Sequence, residues 1–188
     1  MHAIDQVLDL METTTPVKRE NVRYIYLAQF GAGIIPHCIE RYASASRADM
    51  RADMVRFLIK YARRHDECMA FAVGALSDRS RKVRHSACAL LAYSLNNRAL
   101  PALRRLLASP CAKTAEDARR AVESIVSGNH NRYYPNHSSW AVMPDDPAQP
   151  SRESVDRYIV RLAPELVPGL ERIFGDIYGR YGPDFTEA

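Results

Sequence analysis

Residues 78–109 read DRSRKVRHSACALLAYSLNNRALPALRRLLAS. Apolar side chains at Val83, Ala87, Leu90, Leu91 and Leu95 recur every three or four positions, which puts them on one face of a helix. The polar run Asn96-Asn97-Arg98 breaks that pattern. Leu100-Pro101 then opens a second one, with proline in the first turn, where the backbone donor it lacks would have had no partner. Leu103, Leu106 and Leu107 continue the new face. The stretch therefore reads as two helices joined by a short turn.

The same arrangement recurs along the chain. Val-Arg stands at Val22-Arg23, Val55-Arg56 and Val83-Arg84, with Ala118-Arg119 as a weaker fourth copy, at intervals of 33, 28 and 35 residues. Each copy opens a helical apolar pattern: Ile25, Tyr26 and Phe30 after the first, Leu58, Ile59 and Ala62 after the second. Proline-opened octets follow at IPHCIERY (35–42), LPALRRLL (100–107) and VPGLERIF (167–174). The second unit has DECMAFAVGAL in the corresponding place, without proline. This period belongs to stacked helical hairpins. It predicts an all-α chain of about ten helices in five antiparallel pairs, with no sheet.

Residues 78–109 also resemble a unit of the HEAT-repeat family. Asp78 precedes the first helix, Val83-Arg84 stands one turn in, small Ala87 and Ala92 lie at the packing seam, and Leu-Pro opens the second helix. The resemblance spans roughly 17–127 and resumes over about 151–180. It implies an α-solenoid of about five hairpins, whose second helices line a concave binding face. The chain then reads as one domain, 1–188: repeats over 1–127, an inserted loop over 128–150, and a C-terminal helical pair and tail over 151–188. The last unit has Val155-Asp156 where the pattern has Val-Arg.

The chief departure is GNHNRYYPNHSSWAVMPDDP, residues 128–147. It stands where a second helix is expected, so it should sit on or beside the concave face. A loop of this length inside a compact domain tends to be functional. Its mixture of aromatic, Arg, His and Asn side chains is the composition of interface hot spots. The candidate contact residues are Asn129, His130, Asn131, Arg132, Tyr133, Tyr134, His137 and Trp140, joined by Arg98, Arg104 and Arg105 as cations of the concave face. The competing reading folds Tyr133, Tyr134 and Trp140 back over core that the missing helix leaves bare. Asn129 and Asn131 are also placed to cap the preceding helix after Gly128.

Nothing in the sequence carries catalysis. His130 and His137 with Asp145 or Asp146 match no metal-ligand spacing. Ser138 and Ser139 lack a nucleophile elbow. Gly31 and Gly33 belong to an inter-helix turn rather than a phosphate cradle. The expectation is a non-enzymatic protein with no cofactor and no metal.

Cys38, Cys68, Cys88 and Cys111 show no paired spacing, which points to a reducing compartment, and the N-terminus has neither a signal nor a transit pattern. The cytoplasm is the expected location, with no membrane association. Charge is uneven. Residues 1–127 hold 20 Lys and Arg against 13 Asp and Glu, while 128–188 hold 6 against 9. The tandem RADMRADM (47–54) puts Met50 and Met54 on one helical face and Arg47 with Arg51 on another.

Two functional classes follow from the resemblance. NHNRYY and NHSSW resemble the loop of short HEAT immunity proteins, which implies a protein partner, a cognate toxin or effector that the chain binds and neutralises. The alternative is nucleic-acid binding in the manner of the HEAT-like alkylpurine DNA glycosylases, with Arg98, Arg104 and Arg105 on phosphate. A relative of the phycobilin lyases ranks third.

Overall fold

The computed structural model describes residues 3–15, 19, 22–23, 26–134 and 166–174. Among them every regular element is helical and there is no strand. The α-helices are α1 Ala3–Glu12, α2 Ile34–Ser44, α3 Ala48–Phe57, α4 Asp66–Ala75, α5 Arg81–Ser94, α6 Leu100–Leu106, α7 Ala112–Val126 and α8 Val167–Phe174. Short 3-10 turns run over Leu27–Gly33, Ile59–Tyr61, Asn97–Ala99 and His130–Arg132. All three proline-opened octets form helices (α2, α6 and α8), and the octet-less second unit forms α4. Among the described residues no helix is long and apolar enough to cross a membrane.

The chain divides into two compact units, 38–145 and 1–37 with 146–188. In the first, α3, α5 and α7 lie side by side, with α4 packed on α5 and α6 on α7. Central α5 is enclosed so fully that every residue from Ser86 to Ser94 is buried. Its small residues, Ala87, Ala89 and Ala92, let neighbouring helices come close.

The apolar member of each repeated dipeptide is a core residue. Val22, Val55, Val83 and Ala118 are all fully buried. The arginine register, however, differs from the Val-Arg pattern. Arg84 Nη1 donates to the carbonyls of Asp78 and Arg79 at 2.7 and 3.0 Å. Arg51, not Arg56, makes the equivalent bonds one unit earlier, to Ala45 and Ser46 at 3.1 and 2.8 Å. Buried Arg19 donates to the carbonyl of Thr14, five residues before it. Arg56 instead pairs within its helix, to Asp53 at 2.7 Å. The dipeptide thus marks a buried valine at each copy, and at Val55-Arg56 the gripping arginine stands about one turn earlier, at Arg51.

Arg47 and Arg51 also part company. Met50 and Met54 are both buried, as their spacing requires. Arg47 is exposed and pairs with Asp49. Arg51 is buried in a bidentate pair with Asp78, Nε–Oδ2 2.8 Å and Nη2–Oδ1 3.1 Å, and Tyr42 donates to the same carboxylate at 2.9 Å.

In the other unit α1 buries a helical stripe, Ile4, Val7, Leu8 and Met11, and meets α8. A Cβ on Gly169 would come within 2.6 Å of Leu10 Cδ2, so glycine permits that approach. On α8 Leu170 is fully buried and Ile173 half-buried. His37 Nδ1 meets Asp5 Oδ1 at 2.6 Å. Gly31 adopts φ 53° and ψ −138°, the inter-helix turn read from the sequence and a conformation open in practice only to glycine.

Candidate functional site

The 128–150 segment begins as a copy of a turn that the preceding unit already contains. After α5, Leu95 turns left-handed at φ 53°, and the Asn96 side chain accepts from the Arg98 N–H at 3.0 Å. After α7, Gly128 does so at φ 65°, and the Asn129 side chain accepts from the Asn131 N–H at 3.0 Å. Asn96 and Asn129 stand 33 residues apart and each caps a 3-10 turn. The helix end at Gly128 is closed by Asn129 N–H to Ser124 C=O and Gly128 N–H to Ile125 C=O, the paired bonds of a Schellman motif. The cap read from the sequence is therefore present, with Gly128 and Asn129 supplying it.

Where the earlier turn has Leu100 and Pro101, this one has Tyr133 and Tyr134. They carry the chain back onto α5 and α7. Tyr133 is 1% exposed, donates to the His85 carbonyl at 3.1 Å and has its oxygen 3.2 Å from His85 Nδ1. Tyr134 meets His85 Nε2 at 3.2 Å. Asp117 Oδ1 lies 3.1 Å from His85 Nδ1, and its other oxygen faces Arg81 at 3.4 Å. With a proton on Nδ1 the imidazole satisfies this set: it donates to Asp117 and accepts the Tyr134 hydroxyl at Nε2. Burial, reinforced by the nearby Asp117 charge, pushes the Tyr134 phenol up to about 12. Burial also raises Tyr133. Both hydroxyls keep their protons.

A second brace holds the start of the turn. Buried His130 packs edge-on against Tyr93, with ring centres 5.2 Å apart. Arg63 donates from Nε to the Tyr93 carbonyl at 2.9 Å and lies 3.0 Å from His130 Nδ1 through Nη2, its guanidinium over the Tyr93 ring.

The sequence-selected residues thus separate. His130 and Tyr133 are inside and Tyr134 is half-buried, while Asn129, Asn131 and Arg132 are exposed. Arg98, on the equivalent turn of the preceding unit, is exposed too and meets Asp66 at 3.2 Å. Because α5 and α7 pack side by side, Arg98, Asn129, Asn131 and Arg132 share one edge of this unit. Arg104 and Arg105 are exposed on α6. His137 and Trp140 lie outside the described residues, as do Ser138, Ser139, Asp145 and Asp146. The described part of the segment packs on α5 and α7.

Arg63, His85 and Asp117 were not singled out by the sequence. A signal existed for two of them: His85 and Asp117 stand 32 residues apart, close to one repeat period. An aspartate on a histidine is also the start of an acid–base site. Here both imidazole nitrogens have protein partners, so the pair anchors the turn instead of presenting a free nitrogen to a substrate. Among the described residues no three His, Cys, Asp or Glu side chains converge as metal ligands would.

Comparison with known protein families, with curated proteins and with solved structures finds no match for this chain.

Proposed function

We propose that this chain is a non-enzymatic, protein-binding α-solenoid of the HEAT type, an immunity protein that binds and neutralises a cognate toxin or effector in the cytoplasm. The observation that carries the reading is the division of labour in 129–134. His130, Tyr133 and Tyr134 are locked against α5 and α7, while Asn129, Asn131 and Arg132 point outward from the turn they fix. A turn held in this way has little conformational freedom left to lose when a partner docks, which is how preorganised surfaces gain affinity. Arg98 on the neighbouring turn extends the surface, and arginine is the cation most often found at hot spots.

The test uses the protein encoded beside this chain in its genome as the candidate partner. Co-expression should relieve the growth defect that this neighbour causes, and the purified pair should form a complex. Arg132→Ala and Trp140→Ala should each weaken that complex by roughly thirty- to a thousandfold, about 2–4 kcal/mol, if they are hot spots. Full affinity in both variants, at unchanged melting temperature, would remove the segment from the interface.

Nucleic-acid binding is the second reading, favoured by one observation. The 38–145 unit holds 18 Lys and Arg against 10 Asp and Glu. Duplex DNA bound with a steep loss of affinity as salt rises, and weakened by Arg104→Ala with Arg105→Ala, would support it.

A further inference from the structure

Two histidines hold the 129–134 turn, and they answer a proton differently. His85 meets the Asp117 carboxylate at 3.1 Å from Nδ1 and the Tyr134 hydroxyl at 3.2 Å from Nε2. A hydroxyl donates or accepts, so a second proton costs this ring neither partner: Nδ1 still donates to Asp117, and Tyr134 turns to accept. His130 has no such latitude. Its Nδ1 lies 3.0 Å from Arg63 Nη2, and a guanidinium only donates, so that nitrogen accepts and bears no proton while the contact lasts. Arg63 is held independently of it. The Arg63 Nε donates to the Tyr93 carbonyl at 2.9 Å, and the guanidinium lies over the Tyr93 ring, 4.8 Å from its centre. His130 packs edge-on against that same ring and is 7% exposed. We propose that the Arg63–His130 contact is an acid-sensitive latch, which opens when Nδ1 takes a proton and lets the start of the turn, residues 129–132, move off Tyr93.

A proton on Nδ1 turns an acceptor into a donor facing a donor and sets two cations 3.0 Å apart. Like charges repel most strongly where water is excluded. With so little of the ring exposed, the new charge gains hydration only if the ring moves outward. From the elements around it come the Arg63 guanidinium, ahead of α4, and the Tyr93 ring of α5. The last turn of α7 carries Glu123, exposed and 3.2 Å from Arg119, and the 129–134 turn itself carries exposed Arg132. Tyr133 and Tyr134 keep their bonds to His85, so opening is confined to the first half of the turn. The latch is closed while His130 lacks the second proton and opens as pH falls. It is a property of the fold and does not depend on what the turn contacts.

Amide hydrogen exchange of the full-length protein, followed by NMR, reads the latch without a partner. The reporters are the Asn129 N–H, bonded to the Ser124 carbonyl at 2.9 Å, and the Tyr133 N–H, bonded to the His130 carbonyl at 3.1 Å. After correction for intrinsic rates, their protection should fall by about tenfold or more from about pH 7.5 to about pH 5.5, while the amides of α5 keep theirs. Arg63 is exposed, so substitutions there leave the core intact. Arg63→Lys still only donates and should keep the response. Arg63→Gln can donate to a bare Nδ1 through its amide nitrogen or accept from a protonated one through its oxygen, and should reduce the response to less than about twofold. Equal protection at both pH values in the parent would overturn the proposal. So would a His130 ring that titrates with no change at Asn129 and Tyr133, or a response that persists in full in Arg63→Gln, which would place the sensitive group elsewhere. Melting temperatures within a few degrees of the parent establish that each variant is folded.

Discussion

Arg51 and Arg84 are the same device used twice. Each grips the carbonyls six and five residues before it and reaches with its other nitrogens into the following unit, Arg51 to Asp78 and Arg84 to Thr114 Oγ1. Arg51 is the costlier of the two, because both it and Asp78 are withdrawn from water. Burial by itself would raise the Asp78 carboxyl. The Arg51 guanidinium, the Ser80 N–H and the Tyr42 hydroxyl outweigh that and hold it at about 2. A carboxyl depressed in the folded state contributes stability above its unfolded value of roughly 4, and loses it as pH falls through about 2. Asp78→Asn should therefore cost about 3–5 kcal/mol at neutral pH, because it strands a buried guanidinium. The gap between parent and variant urea midpoints should narrow as pH is lowered from about 6 to about 2.5. A gap that stays constant across that range would mean that Asp78 acts through shape and not through charge.

At the scale of elements, the turns after α5 and α7 show why repetition was legible and its consequences were not. Both use a left-handed residue followed by a capping asparagine, in the corresponding stretches LNNRALP (95–101) and GNHNRYY (128–134). In the first turn the left-handed position is taken by Leu95, in the second by Gly128. A Cβ added at Gly128 meets nothing within 4 Å, so Gly128→Ala isolates the backbone penalty. That should be about 1 kcal/mol, or roughly 2–4 °C in melting temperature for a chain of this size. A larger fall would mean that the Schellman closure positions the aromatic residues behind it. The helices themselves were readable, because proline at a helix start and a 3–4 spacing of apolar residues act locally. The arginine register was not, since Arg51 and Arg56 look alike in a pattern and differ only in what lies six residues upstream. The Asp117–His85 contact was harder still. It depends on two helices meeting at one level, which spacing suggests only after the period is known.

For the molecule as a whole, the sequence posed 128–150 as either a contact surface or a cover, and the described residues divide between those roles. Tyr133 fills a fully enclosed site between α5 and α7 and bonds to His85, while its neighbour Arg132 is exposed. Such a division could not be read from composition, because neighbouring residues of one short turn have opposite fates. It depends on which way the chain leaves Gly128. The two roles make opposite demands on stability and binding, so they can be measured apart. Truncating a fully buried aromatic costs about 3–5 kcal/mol, so Tyr133→Ala should lower the melting temperature by roughly 6–20 °C. Tyr133→Phe keeps the ring and removes only the hydroxyl bonds to His85, so it should cost about 1 kcal/mol. Arg132→Ala removes no core contact and should melt within about 2 °C of the parent, as surface substitutions usually do. If Tyr133→Ala melts with the parent, the turn is not held by its aromatic anchor, and the rigid display of Asn129, Asn131 and Arg132 loses its physical basis. If instead Arg132→Ala melts as early as Tyr133→Ala, the exposed arginine is part of the cover, and partner contacts must come from other side chains, Arg98 first among them.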